Sequence, residues 1–157
     1  MSKNYELKAL RSSDHLAVRE IYADAIESQG ESLYTKEQIQ SWAGLAWVPG
    51  VLDRLLFEGR GWISLENQQN EAFAVRYPLD RLALLYCRGR SMRRGHATAL
   101  LNRLESEAFE EGQTHLFTEA SFFSYSMLLR RGWILITPKR IAIGGVSFVS
   151  FSMKKSF

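Results

Sequence analysis

Hydrophobic and polar positions along this chain change period several times, and each change marks an element. Tyr5–Leu10 alternates, which predicts a first strand. Ser12–Asp14 can cap a helix whose apolar positions Val18, Ile21, Tyr22, Ala25 and Ile26 recur at i, i+3, i+4, i+7 and i+8. Thr35 and Gln38 stand three apart, the capping-box spacing in which each side chain satisfies the other's backbone donor. A second, short helix starts there, breaks near Pro49 and resumes over 51–58.

Strands then dominate. Residues 61–66 and 71–77 read as a hairpin across a polar turn at 67–70. Residues 80–87 form a nearly continuous apolar run, as in a central strand covered on both faces. From Gly95 the period returns to 3.6, with Ala97, Leu100, Leu101, Leu104 and Ala108 on one face and Gly112 as C-cap. A strand over 114–120, a short helix near 124–131 that stops at Gly132, and a closing hairpin about Gly144–Gly145 complete the pattern. The order β-α-α-β-β-β-α-β-α-β-β predicts an α/β (α+β) chain with one mixed sheet. Three consecutive strands without crossover helices exclude a doubly wound fold.

Composition narrows this reading. A chain of 157 residues, 46% hydrophobic and 24% charged, is expected to be one globular domain over 1–157. The net charge of +3 does not by itself call for nucleic acid. One cysteine, Cys87, can build neither a disulfide framework nor a zinc site, so no metal and a reduced, cytoplasmic setting are expected. The first ten residues lack the apolar core of a signal peptide, and no run approaches the roughly 20 apolar residues that span a bilayer, so no membrane partner is expected.

Charge matters here by position. Arg88, Arg90, Arg93 and Arg94 fall between a buried strand and the helix that opens at Gly95. A helix start presents unpaired N–H groups and a partial positive charge, and a glycine there lets an anion approach the backbone. The segment therefore reads as a phosphate cradle. It lacks the Gly-Lys-Ser/Thr of a Walker A loop and the three spaced glycines of a dinucleotide fingerprint. Aromatic residues do not interleave with the arginines, which argues against a nucleic-acid platform.

At Met92-Arg93-Arg94-Gly95-His96-Ala97 the chain resembles the acyl-CoA loop of the GNAT acetyltransferase superfamily, Gln/Arg-x-x-Gly-x-Gly/Ala, with Met92 departing from the usual polar first position. The segments 33–43 and 118–133 and the closing hairpin resemble the same superfamily in the same order. The resemblance implies a mixed, mostly antiparallel sheet of about six or seven strands with about four helices. It implies acetyl transfer from acetyl-CoA to a primary amine, direct in a ternary complex. Leu85, Tyr86 and Cys87 would bond the pantetheine arm through their backbone, and Arg93, Arg94, Gly95, His96, Ala97 and Thr98 would wrap the pyrophosphate. Arg88 and Arg90 would reach the 3′-phosphate or stay solvated. The N–H of Tyr86 or Cys87 would polarise the thioester carbonyl.

The proton donor is the departure. The superfamily's usual acid is a tyrosine in the short helix after the fifth strand, and Leu128 stands at that position, with Tyr125 one turn earlier as the substitute. Glu119 is the candidate base, its plainer readings being a solvent-facing strand residue or a partner of the arginines. His96 is expected to cover phosphate. Tyr34 and Trp42 could line an acceptor pocket or simply pack, and Cys87 reads as a small buried hydrophobe. The acceptor is a small-molecule or peptide amine, and the last hairpin could pair two subunits into a homodimer. A CoA-binding regulatory module is the alternative, motivated by Leu128.

Overall fold

The computed structural model describes residues 5–157. The elements follow in the expected order: β1 (Tyr5–Ala9), α1 (His15–Gln29), α2 (Lys36–Ala43), α3 (Asp53–Glu58), β2 (Arg60–Glu66), β3 (Gln69–Arg76), β4 (Arg81–Cys87), α4 (His96–Glu110), β5 (His115–Ala120), α5 (Tyr125–Arg130), β6 (Ile134–Ile143) and β7 (Val146–Ser156). One seven-stranded sheet runs β1-β2-β3-β4-β5-β7-β6, antiparallel except between β4 and β5. The fifth helix beyond the expected four is α3, the resumed segment after Pro49.

Two local expectations shift. Ser12–Asp14 forms a 3-10 turn instead of capping α1, because the Asp14 carboxylate accepts from the Arg11 N–H at 3.0 Å and pairs with Lys8 at 3.3 Å. The hairpin turn contracts from four residues to Asn67 and Gln68, both at positive φ (51° and 66°). That conformation matches the right-handed twist of the strands it joins. The capping box at α2 forms as the spacing predicts: Gln38 N–H donates to Thr35 Oγ1 at 3.1 Å, and Thr35 N–H to Gln38 Oε1 at 2.9 Å.

Each face of the sheet buries its own core. Val18, Ile21 and Ile26 of α1, with Trp42 of α2, pack on Phe73, Val75 and Leu84. Leu100, Leu101 and Leu104 of α4 pack with Ala72, Ala74, Leu82, Leu116, Trp133 and Met153 on the other face. Leu82 and Leu84 reach opposite faces despite being two apart. The reason is a bulge: Val75 pairs with Leu84 and Arg76 with Leu82, so Ala83 is an extra residue that reverses the alternation and bends the strand. At the far edge β6 is exposed along nearly its whole length and carries Pro138 and Lys139, residue types that discourage further pairing at a sheet edge.

Candidate active site

The bulge at Ala83 sits where β4 parts from β5. The two strands pair only through Arg81–Phe117 and Leu82–Thr118, and beyond that they diverge. Arg88 N–H donates to Glu71 O at 2.8 Å, so Arg88–Glu71 is a hydrogen-bonded pair. Alternation makes Tyr86–Phe73 the next such pair and turns the backbone groups of Leu85 and Cys87 away from β3, into the gap. Of the two candidate carbonyl-polarising amides, Cys87 therefore faces the gap, and Tyr86 is committed to β3. Gln29, at the end of α1, reaches the same gap and donates Nε2–H to Cys87 O at 2.7 Å.

At the end of β4 a 3-10 turn leads into the cradle. Arg93 and Gly95 have positive φ (61° and 95°), and α4 starts at His96. The first bond of this helix runs from Ala99 N–H to Gly95 O. The amides of His96, Ala97 and Thr98 thus have no intrahelical acceptor. A Cβ built on Gly95 would meet no atom within 4 Å. The cradle opens into a cleft of about 320 Å³ bordered by Gln29, Leu85, Cys87, Met92, Arg93 and Arg130 among others.

The arginines divide. Arg94 is bidentate to Glu66 of β2, and Arg90 grips Glu71 of β3 at 2.8 and 2.6 Å. Ser91 Oγ–H also donates to Glu71. Arg88 donates to Asn70 O at 3.0 Å and lies 4.0 Å from Glu20. The hydrogen bonds from Arg94 and Arg90 hold the Glu66 and Glu71 carboxyls below the ordinary glutamate range. Arg93 and Arg130 line the cleft and form no ion pair among the described residues. The expectation of a side-chain phosphate contact thus does not fit the placement of Arg94 or Arg90, whose guanidinium groups brace the loop from behind.

His96 is also corrected. Its ring is buried, with Nδ1 2.6 Å from Ser64 Oγ and Nε2 3.0 Å from Glu66 Oε1, and the Tyr5 ring packs edge-on at 5.0 Å. The ring anchors the helix start to β2 and cannot cover phosphate; its backbone N–H remains in the cradle.

A second cavity of about 160 Å³ lies in the gap on the other side, bordered by Tyr34, Trp42, Leu84, Ile143 and Phe148. Leu85, Tyr86 and Ser124 border both cavities. Tyr34 packs on Trp42 at 5.2 Å and on Phe123 at 5.4 Å between ring centroids, and its hydroxyl accepts from Phe122 N–H at 2.9 Å. Burial raises the phenol pKa of Tyr34, and more strongly those of Tyr22 and Tyr86, whose rings touch at 4.6 Å. Burial, with Glu71, Asp24 and Glu66 adding to it, pushes the Cys87 thiol up to about 12.

Of the expected acid and base, Glu119 borders a cavity and Tyr125 does not. The Tyr125 ring packs 4.1 Å from that of Phe151 and borders neither cavity, because α5 turns it toward β7. Leu128 borders the small cavity and carries no proton to give. Glu119 borders it too, paired with Lys139 at 3.0 Å and Arg81 at 3.6 Å. Gln29, Ser124, Arg130, Ile143 and Phe148 were missed. Each lies far along the chain from the cradle, so no local spacing marks it. Among the described residues no group of three or more His, Cys, Asp or Glu is placed to hold a metal ion, and no helix is long and apolar enough to cross a membrane.

No protein-family model matches this chain, and no curated protein matches it in sequence. Solved structures do. A GCN5-related N-acetyltransferase from Rhodopseudomonas palustris superposes with a TM-score of 0.93 at 23% identity, over 100% of this chain and 99% of that one. The chain has the GNAT fold. PaiA N-acetyltransferase from Thermoplasma acidophilum, in complex with coenzyme A, superposes on it with a TM-score of 0.77 at 14% identity, over 98% of this chain and 99% of that one. The ribosomal-protein-S18-alanine N-acetyltransferase of Escherichia coli does so with a TM-score of 0.68 at 17% identity, covering 98% and 94%.

Proposed function

We propose that the chain is an acyl-CoA-dependent N-acetyltransferase that transfers an acetyl group to a primary amine within a ternary complex. One observation carries this reading: the gap between β4 and β5 joins the anion cradle of α4 to a separate apolar cavity across a shared wall at Leu85, Tyr86 and Ser124. A carrier entering from the cradle and an acceptor entering from the cavity would meet there.

The cradle's chemistry fits a pyrophosphate. Three helix-start amides lack acceptors, the space before Gly95 is open, and Arg93 and Arg130 border the cleft. Leu85 and Cys87 offer backbone groups to a pantetheine arm as an added strand would, once Gln29 releases the Cys87 carbonyl. When bound, acetyl-CoA supplies a thioester: a C–N bond forms at its carbonyl carbon, the C–S bond breaks, and the proton lost by the amine balances the one gained by the thiolate. The Cys87 N–H, aimed into the gap, is the donor for the developing oxyanion. Ser124 supplies the hydroxyl that borders both cavities. Glu119, expected as the base, is read instead as a charge partner, because its carboxylate already serves Arg81 and Lys139.

A non-catalytic, CoA-binding regulatory module is the second reading, supported by Leu128 at the usual acid position and by Tyr125 packed on Phe151. Melting the protein against acetyl-CoA tests the shared part: stability should rise with ligand concentration, and no shift at millimolar ligand sinks both readings. Thiol release with an amine panel then separates them. CoA binding with no release from any amine favours the module.

A further inference from the structure

We infer that the cavity between β4, β5 and the closing hairpin selects a compact monoamine with one apolar body, and rejects polyamines and other acceptors that carry a second cation. The inference deepens the transferase reading and rests on it for the role of the amine, although not for its binding.

Size and lining come first. The cavity is about 160 Å³, with Trp42, Ile141, Ile143 and Phe148 making an apolar wall and neutral Ser121 and Ser150 among the polar residues that border it. An apolar cavity of about 150 Å³ holds a benzene-sized group. One ring or one branched alkyl chain therefore fits, with its amino nitrogen at the shared wall by Leu85 and Ser124. The desolvation of that body is the main source of affinity.

Charge decides the rest. Among the described residues bordering the cavity, Glu119 is the single carboxylate. It is not free to hold an ammonium group, because Lys139 lies at 3.0 Å and Arg81 at 3.6 Å. Two cations share one carboxylate, so the mouth has an excess of positive charge. A second ammonium would meet that excess beside Glu119 or a neutral lining inside, where a few hydroxyls do not replace the hydration a full charge gives up. The transfer itself is the balanced exchange already described, with the monoamine nitrogen forming the C–N bond.

The decisive experiment is calorimetric titration of the whole protein, saturated with CoA so that no turnover occurs, with 2-phenylethylamine and with spermidine. The expected result is binding of 2-phenylethylamine at least about tenfold tighter than spermidine, the discrimination available to an apolar pocket. Equal or tighter binding of spermidine overturns the inference, as does no binding of 2-phenylethylamine at millimolar concentration. Ile141→Trp, on the exposed edge strand, should weaken 2-phenylethylamine at least about fivefold and leave CoA affinity unchanged. Unaltered amine binding in that variant places the amine elsewhere and overturns the inference too. Lys139→Glu should narrow the preference against spermidine by reversing one charge beside Glu119; an unchanged preference rejects the charge argument. If CoA does not bind, the transferase reading fails, and the same titration without CoA still decides what the cavity accepts.

Discussion

The cradle at the start of α4 and the apolar cavity beside it open onto the same gap, yet they are made from different kinds of material. The cradle uses backbone: helix-start amides, a glycine at φ 95° and a loop with Arg93 at φ 61°. Its charged side chains mostly face backward, where Glu66 and Glu71 hold Arg94 and Arg90. The cavity uses side chains from α2, β4, β5, β6 and β7, segments spread over more than a hundred residues of chain from Trp42 to Ser150. Backbone recognition is written within a few consecutive residues, whereas a side-chain pocket exists only once distant segments are packed. The difference also predicts where function can vary: the cavity can change by single side chains without disturbing the cradle.

Cys87, at the end of β4 where the strand borders the larger cleft, offers the largest effect. With its thiol pushed up to about 12, Cys87 stays protonated at pH 8, since a raised acid pKa favours the neutral form until pH climbs through it. Alkylation by iodoacetamide at pH 8 should be about a thousandfold slower than for an ordinary cysteine and should recover on unfolding. Rapid alkylation in the native state would mean that burial does not shield the thiol and that the cleft beside β4 is open to solvent there.

Next comes the cradle itself. Gly95→Val puts a branched side chain into the open space above the amides, and should weaken acetyl-CoA by about a hundredfold or more in direct titration. The left-handed backbone costs about 1–2 kcal/mol, so the free protein should melt only a few degrees lower. Retained affinity would show that the anion binds elsewhere.

Arginine substitutions sharpen the division within the loop. Arg93→Ala should cost about tenfold in acetyl-CoA affinity and lessen its salt dependence. Arg94→Ala should change affinity less, about threefold, while lowering thermal stability because Glu66 loses its bidentate partner. The reverse order would show that Arg94 leaves Glu66 for the ligand.

The smallest effect is on the cavity side. Glu119→Gln should change kcat by less than about threefold, because the carboxylate is held in a surface ion cluster with Lys139 and Arg81. A loss of a hundredfold or more, with a pH profile missing its acidic limb, would restore Glu119 as the general base.

Much of the fold was legible from periodicity, since strands and helices each bury faces with a fixed repeat. The capping box at Thr35 and Gln38 and the glycine opening α4 are local chemistry, and both form where the spacing puts them. The Ser12–Asp14 cap misled because Asp14 finds a closer donor at Arg11 and a charge at Lys8. The ring of His96 misled for a related reason: its partners, Ser64 and Glu66, are about thirty residues away and invisible to local spacing. Tyr125 misled because helical position alone does not say which neighbour, Phe151 or the gap, the ring will meet.

By itself, then, the sequence determined the element order, the central apolar strand and the glycine-opened start of α4, because each depends on residues within one or two turns of chain. Only the tertiary structure decided that β4 parts from β5 at Ala83, that two glutamates on β2 and β3 engage Arg94 and Arg90 outside the cleft, and that a second cavity forms between α2 and the closing hairpin. Those features depend on which side chains meet across the sheet, and burial and pairing between segments far apart in sequence are settled only when the whole sheet is assembled.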